Sequence, residues 1–181
     1  GSGVQHFKVG DQVWYAGDLT RDGSNAEYQA VDERIVSLKP QSLSNAEAAA
    51  LPLTAITAWE MLFDRFNVDL DQSDNILVIG GAGGVGSIAI QLLKAKTNLK
   101  VIATASREET KAWVKSLGAD YVIDHTEDLN TQIKALGLDA PIYIFSTNQT
   151  ETYLPQISKL IAPQGKFGLI DDPKSLDIVE F

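Results

Sequence analysis

Glycines recur through Gly80-Gly81-Ala82-Gly83-Gly84-Val85-Gly86, directly after the apolar run Ile76-Leu77-Val78-Ile79. Gly81, Gly83 and Gly86 fall into the spacing G-x-G-x-x-G, which lets bare backbone amides come close to an anion. In that pattern Gly81 is expected to allow the tight turn and Gly83 to let the main chain approach a pyrophosphate. Gly86 would let the following helix pack closely on the strand. Val85, Ile88, Ala89, Leu92 and Leu93 then recur at helical spacing and give that helix one apolar face. Strand, glycine turn and helix in this order are the context that makes the motif a dinucleotide site. The unfilled N–H groups at the helix start, with its dipole, favour a diphosphate. Gly81, Ala82, Gly83, Gly84, Val85 and Gly86 are therefore candidate cofactor-binding residues. A turn with no ligand does not need three glycines at this spacing. A methyl-donor-binding fold, which also has a glycine-rich first turn, stays open on these residues alone.

The elements that must position this turn repeat along the chain. Strand Lys100–Ala105 leads to a helix over about Glu108–Leu117, with Gly118 in the position that ends it. Strand Tyr121–Asp124 leads to a short helix near Leu129–Leu136, and strand Ile142–Phe145 to a helix near Glu151–Ile161. Strand Lys166–Ile170 follows. Alternating strands and helices imply right-handed crossovers and a parallel sheet covered on both faces, hence an α/β doubly wound fold. Five strands are readable where such folds usually have six, so the final strand is expected to be missing and Lys166–Ile170 to form an open edge. The first forty residues show no helical period. Asp11–Ala16 and Glu27–Val31 are expected to be short strands. Ser44 and Glu47 form a capping box for a short helix ending at Leu51. Pro52 interrupts it, and a second helix is expected from about Ala55 to Phe66. The expected division is a β-rich remnant over 1–45, linking helices over 46–74 and a dinucleotide-binding domain over 75–181.

The end of the second strand chooses between cofactors. A site for NAD places a carboxylate there to hold the adenosine 2′-OH. Here the strand ends Thr104-Ala105-Ser106-Arg107. A carboxylate about 4 Å from a 2′-phosphate would cost roughly 4 kcal/mol at an effective dielectric near 20. Ser106 can instead donate a hydrogen bond, Arg107 can pair with phosphate oxygens, and Lys111 lies one helical turn on. The alternative is that Arg107 and Lys111 form a solvated face with Glu108 and Glu109, either of which could swing toward a ribose. NADP(H) is the expected cofactor. Ser146 and Thr147, at the carboxyl end of the fourth strand, fall in the crevice where open α/β sheets bind ligands. Leu169 and Ile170 at the end of the fifth strand offer backbone groups to a nicotinamide.

The 181 residues carry a net charge of −9, which argues against a general nucleic-acid surface, and no apolar run is long enough to span a membrane. No signal-peptide pattern opens the chain, and it has no cysteine, so a cytoplasmic setting is expected. No Tyr is followed four residues later by Lys, which removes a short-chain dehydrogenase, and no G-x-S-x-G elbow supports a serine hydrolase.

Four separated stretches together resemble the medium-chain dehydrogenase/reductase superfamily. They are Phe7–Val13 with Ala26-Glu27-Tyr28, Ala48–Thr54 with Thr57-Ala58-Trp59-Glu60, the glycine loop, and Leu117–Asp124. Ala105-Ser106-Arg107 and Ile161–Lys166 look most like its quinone-oxidoreductase and zinc-type alcohol-dehydrogenase-like branch. The resemblance implies the end of a GroES-like barrel followed by most of a Rossmann domain. It places Thr57 near the nicotinamide and phosphates, where the hydroxyl could otherwise cap a helix. It places His125 on the adenine side of the cofactor, where the family often has tyrosine. The zinc enzymes need Cys and His ligands, yet the stretch that supplies a cysteine reads Leu53-Thr54-Ala55-Ile56-Thr57. The expected reaction is therefore zinc-independent hydride transfer from NADPH to a quinone or conjugated enone. No catalytic residue can be named, and these residues alone are expected to be inactive. Two alternatives are a zinc-type alcohol-dehydrogenase-like enzyme with ligands elsewhere and a non-catalytic NADPH-sensing module. The expected partners are a small-molecule substrate and, for the parent protein, a second copy in a homo-oligomer, with no nucleic acid and no membrane.

Overall fold

In the computed structural model, which describes residues 1–176, β3 (Asn75–Ile79) is buried along its whole length. Its side chains alternate between two cores. Ile76 and Val78 enter one, and Leu77 and Ile79 enter the other. A strand buried on both sides reads as an unbroken apolar run, which is why no polar alternation interrupts Ile76–Ile79. Parallel neighbours β4 (Lys100–Thr104) and β6 (Tyr143–Ser146) flank it, with Val78 in register with Ala103 and Phe145. Beyond them lie β5 (Tyr121–Ile123) and β7 (Lys166–Leu169), giving the order β5-β4-β3-β6-β7. Among the described residues β7 pairs with β6 alone.

The helices divide between the two faces. α3 (Gly84–Lys96) and α4 (Glu108–Ser116) bring Ala89, Ile90, Leu93 and Val114 to the first core, with Leu62 and Phe66. α5 (Leu129–Ala135) and α6 (Thr150–Leu160) bring Leu129, Ile133, Tyr153, Ile157 and Leu160 to the second. This is a doubly wound Rossmann fold. The chain after β3 turns to one face and the chain after β6 to the other, so a crevice opens between the carboxyl ends of these adjacent strands. Gly118 (φ +105) ends α4, and the Ala119 amide bonds back to the Val114 carbonyl at 3.1 Å.

The chain divides into two compact units, Gly1–Ile56 and Thr57–Phe181. In the first, β1 (Val13–Trp14) pairs antiparallel with β2 (Ser37–Leu38), and the expected strand at Glu27–Val31 does not form. Its Gln29 side chain accepts from the Tyr15 hydroxyl at 2.5 Å and donates to the Asp22 carbonyl at 2.8 Å. Side-chain bonds thus tie the segment down in place of a ladder. Ser44 and Glu47 cap α1 (Asn45–Ala50) reciprocally. Pro52 does not delay the next helix but starts it, because proline at the first helical position lacks only an N–H that would be unpaired anyway. This α2 (Pro52–Trp59) continues as a π-helical stretch, Glu60–Arg65, closed by Phe66 N–H donating to Met61 O at 2.9 Å. No helix among the described residues is long and apolar enough to cross a membrane.

Candidate functional site

A hollow of about 540 Å³ opens at the carboxyl ends of the sheet, and each strand contributes residues lying at or just past its end. The glycine turn supplies Gly80 and Ala82 through Val85, and the end of β4 supplies Thr104 through Arg107. His125 follows β5, Thr147 through Gln149 follow β6, and Ile170 follows β7. Thr110 and Tyr153 reach it from α4 and α6.

The turn divides its tasks among the glycines differently from the expectation. Positive φ (+77°) falls on Gly80, so Gly80 rather than Gly81 makes the tight turn. β3 ends at Ile79, and the chain must reverse at the next residue. The Gly80 amide donates to Thr104 Oγ1 at 3.0 Å, and its carbonyl accepts from the Gly83 amide at 3.0 Å. A Cβ on Gly80 would run into Thr147 Oγ1 and sit 2.7 Å from Asn148 Oδ1. Gly81 is bare for another reason, since its Cβ would lie 2.9 Å from that of Ala103 on β4. A Cβ on Gly86 would strike the Gly80 carbonyl oxygen and lie 2.8 Å from Gly81 Cα, so the first turn of α3 sits directly on the loop. Gly83 is the N-cap and brings no side-chain acceptor. The amides of Ala82, Gly84 and Val85 consequently find no acceptor among the described residues, and these residues line the hollow. A helix start stripped of side chains in this way suits a diphosphate.

At the end of β4, Thr104 and Ala105 are buried, Ser106 is half-buried, and the Arg107 side chain is 72% exposed. Arg107 Nε lies 3.3 Å from Glu109 Oε1, an exposed pair that gives way at little cost to a stronger anion. Lys111 lies outside the lining of the hollow. Its ammonium sits 3.3 Å from Asp124 Oδ2 and 3.4 Å from Glu108 Oε1, and Asp124 above all raises its pKa. The Asp124 carboxyl is held below its ordinary range, first by the Thr126 hydroxyl and amide and then by Lys111.

His125 lines the hollow in edge-to-face contact with Tyr153, ring centroids 6.5 Å apart at 84°. Tyr153 is 6% exposed, and burial raises the pKa of its phenol. Thr147 lines the hollow and donates through its hydroxyl to the Ile79 carbonyl at 2.9 Å, tying the β6 end to the glycine turn. Ser146 is fully buried beneath it. Its hydroxyl lies 2.7 Å from that of Thr150, which donates in turn to Asp171, so Ser146 supplies the proton of the first bond. The Thr150 amide donates to the same carboxylate at 2.8 Å, which makes Asp171 the anionic partner of the start of α6. Ile170 lines the hollow, whereas Leu169, Gly81, Gly86 and Thr57 do not. Thr57 is half-buried in α2.

Several lining residues escape the sequence reading. Gly80 hides because the motif counts from Gly81. Asn148 and Gln149 carry no motif, and the left-handed backbone of Gln149 (φ +52) has no signature in its residue type. Tyr153 could have been found, since the first turn of a helix that follows a switch-point strand faces the crevice.

Residues 84–177 match the family model for zinc-binding dehydrogenase. The chain belongs to that family, within the medium-chain dehydrogenase/reductase superfamily. A zinc-type alcohol dehydrogenase-like protein of Staphylococcus aureus is 48% identical over 169 residues, 91% of this chain and 50% of the relative. The crystal structure of a protein from Rhizobium etli, assigned as a zinc-dependent alcohol dehydrogenase, superposes with a TM-score of 0.92 at 56% identity. It covers 98% of this chain and 53% of that one. Escherichia coli quinone oxidoreductase complexed with NADPH superposes at 0.78 with 26% identity over 92% of this chain and 50% of that one. The chain thus spans about half the length of the relatives it matches.

The family name carries a metal that this chain's residues do not fit. There is no cysteine, and among the described residues no three of His, Asp and Glu gather where they could hold an ion.

Proposed function

We propose that this chain is the cofactor-binding part of an NADPH-dependent oxidoreductase that passes a hydride to a quinone or conjugated enone. One observation carries the reading: a glycine turn whose added Cβ atoms would collide, followed by Ala82, Gly84 and Val85, which line a 540 Å³ hollow and whose amides find no acceptor among the described residues. Those amides hold the diphosphate at the start of α3. Ser106 and Arg107 hold the 2′-phosphate, Arg107 exchanging its exposed Glu109 partner for a doubly charged one. His125 and Tyr153 wall the adenine side. Thr147 and the main chain at Ile170 lie toward the nicotinamide end of the crevice. When bound, the dihydronicotinamide supplies the hydride and is left oxidised, while the reduced substrate takes a proton from solvent. The protein's share is to fix the ring against the substrate and keep that face dry. The E. coli neighbour supports both the cofactor and the quinone class.

Calorimetric titration with NADPH and then NADH tests this reading. NADPH is expected to bind at least about tenfold more tightly, a difference near 1.4 kcal/mol. Equal affinity or a preference for NADH overturns the assignment of Ser106 and Arg107, and no binding of either overturns the whole reading.

A further inference from the structure

We propose that Asp171 is a positioning residue for the nicotinamide end of the cofactor, its carboxylate holding the loop between β6 and α6 in the shape that admits the ring. The inference rests on the cofactor reading above and gives a role to a residue that does not itself line the hollow. Helix α6 starts without help from its own N-cap. Gln149, at that position, has left-handed backbone (φ +52) and makes no side-chain cap bond. A residue other than glycine keeps such a backbone only where its surroundings impose it. Here the next residue is held instead. Thr150 is fully buried, its amide donates to one Asp171 oxygen at 2.8 Å, and its hydroxyl donates to the other. The acceptor that a serine or aspartate N-cap would supply thus arrives from the chain just past β7.

The bonds continue from Thr150 into the strand. Because the Thr150 proton goes to Asp171, Thr150 Oγ1 accepts from the Ser146 hydroxyl at 2.7 Å, while the Asn148 carbonyl stands 3.5 Å from that hydroxyl, too far to compete. Ser146 and Thr150 bracket Thr147, Asn148 and Gln149, all of which line the hollow. One carboxylate therefore fixes both ends of the segment that walls this part of the crevice. The shape it fixes is used twice. The Thr147 hydroxyl donates to the Ile79 carbonyl at 2.9 Å, and the Asn148 carboxamide lies over Gly80, where an added Cβ would come within 2.7 Å of its Oδ1. The Ile170 amide, beside Asp171, donates to the Ser146 carbonyl at 3.2 Å, so the ends of β6 and β7 are held together as well. Without the carboxylate, the Thr150 amide loses its acceptor inside the protein, and its hydroxyl loses the partner that orients Ser146. The loop must then shift, and the change is felt where the ring would sit rather than at the glycine turn.

The test is calorimetric titration of the chain with NADPH and with 2′-phospho-ADP-ribose, the same molecule without its nicotinamide ring. The wild type, expected to bind NADPH the more tightly, is compared with Asp171→Ala, Asp171→Asn and Thr150→Val. Asp171→Ala is expected to lose about tenfold in affinity for NADPH and less than about twofold for the ligand that lacks the ring. Asp171→Asn keeps one carbonyl acceptor and is expected to fall between the wild type and Asp171→Ala. Thr150→Val keeps the amide bond to Asp171 but removes the hydroxyl link to Ser146. It is expected to show the same split between the two ligands, and it decides the question if Asp171→Ala does not fold. A residue with only a structural role would lower the unfolding midpoint and weaken both ligands equally, or neither. Either result overturns the inference and leaves the cofactor reading standing, and so does a wild type that binds the two ligands alike. Failure of the wild type to bind either one overturns both.

Discussion

At the scale of the residue, the turn after β3 is governed by what is missing. Gly86→Val would drive a branched side chain into the Gly80 carbonyl and the Gly81 backbone, so α3 must lift from the loop. The expected cost is about 1–3 kcal/mol by denaturant unfolding, together with loss of cofactor binding. A variant of unchanged stability that still binds would show that α3 is not seated as described. Ser106→Asp tests the other pole of the site. It places a carboxylate where the 2′-phosphate would lie, a repulsion of roughly 4 kcal/mol before screening, and is expected to reverse the preference to NADH. An undiminished preference for NADPH would remove Ser106 from the site. The motif spacing marks this loop as the candidate site but puts the tight turn on Gly81 instead of Gly80, because spacing records which residues are bare and not which one carries positive φ. Lys111 shows the opposite limit. Its position one turn beyond Arg107 was visible, but its capture by Asp124 depends on a strand paired from elsewhere in the chain.

At the scale of the element, the strands and helices from β3 onward were legible to within a few residues. Their apolar periods are long and unambiguous, and Gly118 punctuates α4 where its φ of +105° requires glycine. The lead-in was less so, because strands of two residues carry too little pattern to be read. α3 is held by Ile90, fully buried and within reach of the glycine turn. Ile90→Ala is expected to cost about 2–5 kcal/mol, read as a lower denaturant midpoint at unchanged slope. A loss under 1 kcal/mol would mean that the face of α3 is not packed as described. The turn after β5 adds a pH dependence. The Asp124 carboxyl is lowered by folding, so its contribution is present above the ordinary carboxyl range near 4 and is lost as pH falls through the lowered value. The stability gap between wild type and Asp124→Asn should therefore narrow below about pH 4, and a gap that widens there would contradict the assignment.

At the scale of the whole molecule, order is unevenly distributed. The first forty residues contain no buried side chain, whereas β3 and β6 are buried throughout. Hydrogen exchange should find amides before residue 40 exchanging fast and those of β3 and β6 slowest. Uniform protection would contradict this. The sheet order set by the second unit brings the ends of five strands around one hollow. Cofactor binding here depends on the bare amides at the head of α3 receiving a diphosphate. The most direct test follows backbone amide resonances as NADPH is added. The largest shifts are expected on Ala82, Gly84 and Val85, with further shifts at Ser106, His125 and Thr147. Saturable binding that leaves the resonances of residues 82–85 unmoved would contradict it.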